Sequence, residues 1–505
     1  MNYKIDKNSL ANQGIVIVNC INKYGEIEWT KKYKYIKNND IVYEKFAKGN
    51  KVILNKIYME GLSLKEYIEY LNVHYPDKEK VDIRIELKSS FIVNADFSNT
   101  TFQGKTKFNR TIFKGKTKFN KVTFLDETDF SQTIFLDEVQ FNSESTFYKK
   151  TKFVNTTFYK VIFNKTYFLN EVTFFNSAFN GVVRLSNVLF KNVDFKNASF
   201  MNDVHFGPNA NFQEGEVVFK EAYFHKEVDF RLSTFIKVDF SSCKFSDEVR
   251  FDEVVLDNGK FYRSVFKKSL YFKGDVSKNL NLEDINIEKK LFINNYKTSI
   301  KTMNLLVKDI SGFIDLDWQT MKVKNMIMSQ GNDTTYKQKA DQFILLKENY
   351  NKQGHYDDED NAYVEFKKCM RKSKVKGEGI ENGIRKWLAI VWEIIWYIPK
   401  LILFELIGGY GTKPKNVFIT MILTILGFAL IYLYIPAIKI DLSNVNMVNY
   451  RVAALYYSGI TFLTIGYGDI SPLNELTAMV SVVEGFIGIF LMSYFTVSFT
   501  RKLLR

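Results

Sequence analysis

The hexapeptide Thr464–Asp469, with the sequence TIGYGD, is the stretch of this chain whose residue types and spacing point to a defined chemistry. A cation that has lost its water shell needs rings of oxygen atoms, and backbone carbonyls can supply them. Successive carbonyls point the same way only where the backbone alternates in hand, and Gly466 and Gly468 reach positive φ at little steric cost. The Thr464 hydroxyl would add a further ring of oxygens at the inner end. The hexapeptide therefore predicts a cation-coordinating loop.

This pattern, Thr-x-Gly-Tyr-Gly-Asp, resembles the selectivity filter of potassium channels. The resemblance implies that Tyr467 wedges the loop open against its surroundings and that Asp469 anchors the outer end. The alternative is a Gly-Tyr-Gly turn in a soluble loop, and the chain has such a tripeptide at 409–411, with no Thr before it and no Asp after it. The resemblance predicts an ion-binding site of six residues: Thr464, Ile465, Gly466, Tyr467, Gly468 and Asp469.

Apolar segments lie on both sides of the hexapeptide. Residues 416–438 form an uninterrupted uncharged stretch, which is long enough for a membrane-spanning helix. Residues 476–500 carry a single charge, Glu484, and predict a second spanning helix. Between them, residues 450–462 predict a short pore helix that ends at the hexapeptide. Lysines just before the first span place its N-terminus in the cytoplasm by the positive-inside rule.

Two spanning helices around a pore helix and a filter, over residues 414–505, resemble the two-helix bacterial potassium channels. In that family four subunits each contribute one filter loop. A single loop cannot surround an ion, so the resemblance implies a homotetramer in the lipid bilayer of the plasma membrane. It also implies potassium ions in the filter and no other cofactor.

Three further residues of this region have candidate roles. Gly488 matches the gating-hinge glycine of the family, or else it lets two helices pack closely. Tyr456 would hydrogen-bond Asp469 behind the filter, as an aromatic residue does in relatives, or it would only pack the pore helix. Glu484 is an acid inside a membrane span and should face protein or water. We expect Glu484 to hydrogen-bond the back of the pore helix, in a protonated or an ionised form.

Phenylalanine recurs at steps of five or six through residues 91–275, which accounts for much of the chain's excess of this residue, 46 copies in all. Two positions before most of these centres stands a small or β-branched residue, and Asn, Lys, Asp and Gly lie between. A helix would need apolar residues at i+3 and i+4, so this spacing does not fit one. It predicts coils with four short sides, which bury their centres only by stacking on one another.

The repeat resembles the pentapeptide-repeat family, a right-handed quadrilateral β-helix. It differs from the family in having phenylalanine where leucine is commoner, and in mixing steps of six with steps of five. At four units per coil we expect about seven or eight coils, spaced about 4.8 Å apart. The predicted fold class is a multidomain membrane protein, with an N-terminal cytoplasmic β-solenoid and a C-terminal α-helical pore domain.

Less regular segments flank the repeats. Residues 1–90 predict a small α+β cap, because stacked repeats need a polar-faced end. Within it, a capping box at Ser63 opens a helix, and alternation over 81–87 predicts a strand with one buried face. Residues 276–328 keep a fainter alternation and predict a degenerate continuation of the solenoid.

Residues 333–380 predict a helical hairpin, whose first helix is capped by Asp333 and ends near Gly354. It closes in a basic run, Lys367–Lys376, which is either a solvated face obeying the positive-inside rule or a contact for anionic lipid head groups. Residues 385–407 are rich in tryptophan and interrupted by charges, which favours a helix lying in the membrane interface. If they crossed, the solenoid would lie outside the cell without a signal peptide. We expect the N-terminal domain and the C-terminus to be cytoplasmic.

The composition of the chain argues against an enzyme and against a nucleic-acid partner. The chain has a net charge of +14 and only three cysteines, and no nucleophile–base pair or metal cluster suggests an enzyme. Residues 91–275 carry 26 Lys and Arg against 22 Asp and Glu, so the solenoid lacks the acidic surface of pentapeptide-repeat proteins that mimic DNA. No nucleic acid is therefore expected as a partner.

The sequence predicts a potassium-selective channel whose solenoid regulates it, assembles it, or binds an unknown ligand or protein. One alternative is a membrane-tethered pentapeptide-repeat binding protein that acts as a nucleic-acid mimic or a scaffold. The alternative within channels is a non-selective cation pore, but relatives of that kind disturb the Gly-Tyr-Gly, which is intact here.

Overall fold

A computed structural model of the 505-residue chain forms two compact units, Met1–Gly331 and Asn332–Arg505. It describes residues 2–7, 14–77, 82–207, 210–293, 300–307, 309–331, 333–381, 383–434, 438–440 and 449–504. Val81 of the predicted early strand, residues 435–437 of the first predicted span, and Arg505 lie outside the described residues.

The helices are numbered in chain order. The first unit contains α1 (Asp40–Ala47), α2 (Leu64–His74) and α3 (Val323–Met328). The second unit contains α4 (Tyr336–Gln353), α5 (Tyr356–Val375), α6 (Ile384–Ile395), α7 (Tyr397–Lys400), a π-helical turn (Leu401–Leu406), a 3₁₀ turn (Gly409–Gly411), α8 (Pro414–Tyr434), α9 (Tyr450–Phe462) and α10 (Glu475–Leu503).

Nearly all strands belong to the first unit, a β-solenoid of about 12 turns. An antiparallel meander comes first: Asn2–Asp6, Ile15–Ile21 and Ile27–Tyr35. The early solenoid strands are Val52–Asn55, Ile57–Ser63, Asp82–Ile83, Ile85–Lys88, Phe91–Asp96, Thr101–Phe102, Thr106–Lys107, Ile112–Phe113, Thr117–Lys118, Thr123–Phe124 and Thr128–Asp129. The middle strands are Ile134–Phe147, Thr151–Lys152, Thr157–Thr173, Ala178–Phe179, Val183–Ser186, Leu189–Asp194, Ser199–Phe200, Val204–His205, Asn211–Val218, Tyr223–Phe224, Val228–Asp229, Thr234–Asp239, Lys244–Phe245 and Val249–Arg250. The last are Val255–Lys260, Val265–Phe266, Leu270–Phe272, Asp275–Asn281, Asn286–Ile287, Lys290–Ile293, Thr302–Asn304, Asp309–Ile310 and Phe313–Asp315. A separate two-stranded antiparallel sheet in the second unit pairs Ile438–Ile440 with Ile470–Pro472.

Stacked phenylalanine rings form the core of the solenoid, as the repeat predicts. Parallel pairing sets Phe102 beside Phe124 and Phe124 beside Phe147 in successive coils, with ring centroids 4.7 and 4.6 Å apart. The small residue two positions before a centre also turns inward. Thr133, for example, donates its hydroxyl hydrogen to the Phe108 carbonyl of the preceding coil at 2.7 Å. Threonine is therefore suited to this position, because it fills a small space and satisfies a buried backbone acceptor.

Left-handed backbone turns the coils at regular corners. Positive φ recurs about every 11 residues along the repeats, first at Asn99, Arg110, Lys121 and Gln132, and all of these are residues other than glycine. Each such residue immediately precedes the buried small residue of the next unit. Their backbone N–H groups donate to the next coil, as Arg110 does to the Ser131 carbonyl at 3.0 Å. These hydrogen bonds offset the free-energy cost of the left-handed backbone conformation at each corner.

The solenoid is longer than the phenylalanine run that reveals it. Strands at Val52–Asn55 and Ile57–Ser63, inside the predicted cap, already pair in parallel with Ile85–Lys88 and Phe91–Asp96. At the other end Phe313–Asp315 still pairs with the coil before it. The seven or eight coils are predicted for the phenylalanine run alone; with the predicted continuation after residue 275 and the coils inside the cap, the solenoid has about 12 turns. The outer coils bury Ile, Leu, Val and Met, which carry no five-residue signature.

One predicted solvent-facing residue of the early strand is buried. Glu86 is 4 % exposed, and its carboxylate pairs with Lys51 at 2.5 Å, Lys88 at 2.6 Å and Lys107 at 3.6 Å. Burial alone would raise its pKa, but hydrogen bonds from Lys51 and Lys88 outweigh burial and hold the pKa of Glu86 at about 2. Glu86 thus links three successive coils, through Lys51 on one side, Lys107 on the other, and Lys88 of its own strand.

The helical hairpin of the second unit begins two residues later than predicted. Thr335, not Asp333, caps α4 through a reciprocal capping box with Gln338. The helix ends as expected at Gly354, whose φ of 75° only glycine adopts freely. Thr335 is the cap because the side chain of Gln338, three residues later, returns the hydrogen bond.

Two helices among the described residues, α8 and α10, are long and apolar enough to cross a membrane. The number becomes three if α6 and Tyr397–Leu406, bent by 52°, count as one span. Within the predicted segment 385–407 the break falls after Ile395, four residues before Pro399, because proline cannot donate to that carbonyl and clashes with it.

Truncating one core ring tests the stacked core. Phe163 is 1 % exposed and stacks on Phe141 at 5.0 Å. We expect Phe163→Ala in the isolated unit, residues 1–331, to lower the free energy of unfolding by about 3–5 kcal/mol. Tyr159→Ala, on the same strand but 59 % exposed, should change it by less than about 0.5 kcal/mol. Urea unfolding measures both, and equal midpoints for the two variants would show that the Phe163 ring is not a core residue.

Candidate functional site

The helix that leads into the TIGYGD loop is held between the two long helices. The Asn449 side chain caps α9 by accepting from the Arg451 N–H at 3.0 Å. At its far end Phe462 packs with Val417 of α8 and Leu491 of α10 in a buried cluster. This helix therefore delivers the loop at a fixed position, as the pore-helix prediction requires.

The backbone of the TIGYGD loop alternates in hand. Thr464, Gly466 and Gly468 have φ of 57°, 57° and 80°, whereas Ile465 and Tyr467 between them keep negative φ. Two of these positive angles are the ones expected of the glycines, and the third falls on a threonine. Left-handed φ at a β-branched residue is a strained conformation. The end of α9 holds this strain in place, since Thr464 and Ile465 donate to the Thr461 and Ile460 carbonyls at 3.0 and 2.9 Å.

The side chains of the loop are open to solvent in the single chain. The exposed fraction is 47 % for Ile465 and 70 % for Tyr467. The wedge predicted for the Tyr467 ring is therefore not made within one chain. The Thr464 hydroxyl donates to the Leu463 carbonyl at 2.7 Å.

Behind the loop, Tyr456 of α9 donates from its hydroxyl to the Asp469 carboxylate at 2.8 Å. The other carboxylate oxygen of Asp469 accepts from the Ile470 N–H at 3.0 Å. The Tyr456 bond ties the outer end of the loop to α9, and the Ile470 bond orients the Asp469 carboxylate. The sequence suggested this pairing against simple packing of Tyr456, and the geometry is that of the hydrogen bond.

Glu484 of α10 is fully buried and faces the back of α9. Its carboxyl oxygens lie 2.5 Å from the Ser458 hydroxyl and 2.7 Å from the Tyr432 hydroxyl of α8. Ser458 also lies 2.8 Å from the Ile425 carbonyl. A protonated Glu484 can donate to Ser458 while Ser458 keeps its bond to Ile425, whereas an ionised one takes the serine hydrogen for itself. In either form the acid links three helices.

Gly488, the predicted hinge, is a point of close helix contact. A Cβ atom at this position would lie 2.1 Å from the Phe462 carbonyl oxygen and 2.9 Å from its carbonyl carbon. Backbone atoms cannot move aside for a methyl group, so α10 approaches the end of α9 only because residue 488 is glycine. The close-packing alternative accounts for Gly488 in this conformation.

An ion cluster at the end of α10 is the main feature that sequence reasoning missed. Arg501 pairs with Asp360 of α5 at 3.0 Å and lies 3.9 Å from Glu359. Lys502 pairs with Asp357 at 3.0 Å and Asp360 at 3.4 Å. The signal was present in the sequence, as an acidic run at 357–360 and a basic C-terminus, but nothing in either segment says that the two meet. The helical hairpin is thereby fastened to the last turn of the long helix.

The Gly-Tyr-Gly tripeptide at 409–411 also binds α10. The Gly411 N–H donates to the Tyr494 hydroxyl at 3.0 Å, and Tyr494 donates to the Phe404 carbonyl at 3.3 Å. A Cβ atom on Gly408 would meet the Tyr494 ring at 2.5 Å. This tripeptide is thus a structural turn that docks the segment before α8 onto the long helix.

Comparison with protein families agrees with these two architectures. Residues 419–505 match the family model described as ion channel, and residues 97–144 match the pentapeptide-repeat model with nine copies. No curated protein and no solved structure matched the chain.

The fold and these matches identify an ion-channel domain with two candidate membrane-spanning helices in the C-terminal part of the chain. A pentapeptide-repeat β-solenoid precedes it.

Substitution of two neighbouring glycines of α10 tests the close contact. We expect Gly488→Ala to lower the stability of the detergent-solubilised protein by about 1–3 kcal/mol, because the methyl group meets backbone. Gly485→Ala is the matched control: its Cβ would lie 3.9 Å from the Thr461 carbonyl oxygen, and helix propensity favours alanine by up to about 1 kcal/mol. Thermal melting should show a lower transition for Gly488→Ala alone. Equal transitions would mean that the glycine is not needed for packing.

Proposed function

We propose that this chain forms a potassium-selective channel as a homotetramer, with residues 464–469 as its selectivity filter. The observation that carries the proposal is the alternating backbone hand at Thr464, Gly466 and Gly468. Backbone that alternates in this way turns successive carbonyls toward one side, where they replace the hydration shell of an ion. The Thr464 hydroxyl would rotate away from the Leu463 carbonyl to complete the innermost ring.

The four-fold assembly is supported by what one chain leaves open. A single loop presents only one carbonyl at each level, so the oxygens around an ion must come from several copies. The side chains of Ile465 and Tyr467, both within the loop, are exposed in the single chain, and neighbouring subunits would cover them. Cyclic symmetry closes such a ring with identical contacts. Tyr467 would then make its wedge contact with another copy.

The filter is supported from behind by two contacts within each chain. Tyr456 holds Asp469 at the outer end, and Glu484 holds α9 against α8 and α10. Buried hydrogen bonds of this kind fix a geometry more strictly than apolar packing does. We assign the support of the filter to Tyr456 and Glu484, and the close approach of α10 to Gly488.

The membrane placement follows from charge. Lys413 precedes α8 and Lys415 lies in its first turn, and Arg501 and Lys502 lie in the last turn of α10. Both ends therefore suit the cytoplasmic face of the plasma membrane. In this arrangement α6, with exposed Trp387 and Trp392, lies in the interface, and the solenoid is cytoplasmic.

The ion cluster at Arg501 gives the cytoplasmic part a route to the gate. Opening at the cytoplasmic end requires the last turns of the four α10 helices to separate. Because α5 holds Arg501 and Lys502, any movement of the hairpin biases that separation. A ligand or partner of the solenoid would act only through a different affinity for the closed and open states.

Replacing the filter tyrosine tests selectivity. In potassium-loaded liposomes, the unaltered protein should admit almost no sodium. Tyr467→Asp should admit sodium, because the smaller carboxylate cannot replace the ring that would hold the filter carbonyls in place. Leu473→Asp is the control, because it adds the same charge at an exposed site just outside the loop. Sodium flux through the unaltered protein equal to its potassium flux would refute the proposal and favour a non-selective cation channel.

Weakening the ion cluster tests the coupling. Asp360→Asn removes the carboxylate that Arg501 and Lys502 share, so we expect open probability in bilayers to rise about two- to fivefold. Asp341→Asn, the same change at an exposed position of α4, should leave it unaltered. Unchanged open probability in Asp360→Asn would reduce the cluster to a structural contact.

A further inference from the structure

A cavity of about 250 Å³ lies between the second half of α5 and the segment that links α6 to α8. Its walls combine cations with apolar side chains, and the segment beside it is rich in exposed tryptophan and isoleucine. The lining residues are Phe366, Lys367, Met370, Arg371, Lys374, Glu393, Lys400, Phe404 and Tyr410.

Arg371 is the central residue of this cavity. Its side chain is 8 % exposed, and its Nη2 donates to the Glu405 carboxylate at 2.5 Å. Its Nε and Nη1 atoms are buried and have no hydrogen-bond partner in the described part of the chain. Buried donors without acceptors cost free energy, and a guanidinium group is especially suited to phosphate oxygens. The unpaired nitrogens therefore point to an anionic ligand.

The rest of the charge around the cavity favours the same ligand. Lys367, Lys374 and Lys400 line it with Arg371, and Glu393 is the single carboxylate among the lining residues. Glu393 is already paired with Lys400 at 2.8 Å. The lining therefore keeps an excess of positive charge that one or two phosphate charges would balance.

The cations of the basic run Lys367–Lys376 do not all face the cavity. Lys368 pairs with Glu365 at 3.1 Å and Glu405 at 3.6 Å. Lys372 and Lys376 lie over the Tyr336 ring. Only Lys367, Arg371 and Lys374 of the run reach the cavity. The run is thus not a uniform solvated face.

The apolar part of the lining distinguishes this site from one built for a free anion. Phe366, Met370 and Phe404 line the cavity, and Phe404 is 42 % exposed. Trp396, at the bend after α6, and Ile402, after the bend, are exposed as well. An anion bound at Arg371 would therefore have hydrocarbon surface beside it, as at a membrane interface.

We propose that this cavity binds the phosphate-ester head group of an anionic phospholipid, with its acyl chains along Phe404 and the neighbouring apolar surface. Arg371 would donate from Nε or Nη1 to the phosphate, and Lys374 and Lys367 would supply the remaining charge. The proposal goes beyond the proposed function, because binding at this site does not depend on conduction or on ion selectivity.

Native mass spectrometry of the full chain in neutral detergent tests the site. Phosphatidylglycerol and phosphatidylcholine are added separately, and bound lipid is counted. We expect phosphatidylglycerol to bind more tightly, and Lys374→Gln to weaken it about fivefold. Lys372→Gln is the matched control, because it removes the same charge from an exposed position of α5 outside the cavity. Its affinity should match that of the unaltered protein.

Arg371→Lys provides the second variant. Lysine can keep the ion pair with Glu405 but loses the extra guanidinium donors, so we expect binding to weaken while the melting temperature is retained. Glycerol 3-phosphate at the lipid concentration should not displace phosphatidylglycerol. Complete displacement would support the phosphate site but make its ligand a soluble phosphate ester. Equal binding of both lipids, or equal losses in Lys374→Gln and Lys372→Gln, would overturn the proposal.

Discussion

The second unit is organised around one constraint, a loop whose backbone alternates in hand at Thr464, Gly466 and Gly468. In our proposal this alternation turns successive carbonyls toward the ion path. Such backbone inside a membrane is tolerated only where it lines a protein-enclosed cavity containing water or ions. In our proposal, the hydrogen bonds of Glu484 and Asp469 keep this strained loop in place. Three further copies of the loop would then complete each ring of oxygens, and a bound cation would be the partner of the carbonyls.

The solenoid solves the opposite problem, because its backbone and its core are satisfied by its own stacking. Each coil donates to the next, and each phenylalanine ring lies against its equivalent at about the strand spacing. In such an array each coil contacts only its neighbours. Within the second unit the hairpin α4–α5 is fastened to both α10 and the segment before α8. In our proposal, these ion pairs couple the hairpin to the opening of the pore.

Periodic and motif-like features could be predicted from the sequence, and features that depend on tertiary contact could not. The phenylalanine repeat, the two spans and the glycines with positive φ follow from residue type and spacing. The coils before residue 91 escaped prediction because aliphatic residues fill the core positions there without a regular step. Thr335 replaced Asp333 as the cap because only Thr335 has Gln338 to reciprocate. The contacts of Arg501 and Arg371 join segments far apart in sequence, so no local pattern announces them.

The reversal potential of single channels tests the central claim most directly. The purified full chain is recorded in a bilayer with potassium on one side and sodium on the other. The account predicts a reversal potential close to the potassium equilibrium potential, with unitary currents from an assembly of four subunits. A reversal potential near zero would contradict it, because a loop that coordinates ions through ordered carbonyls cannot pass sodium and potassium alike.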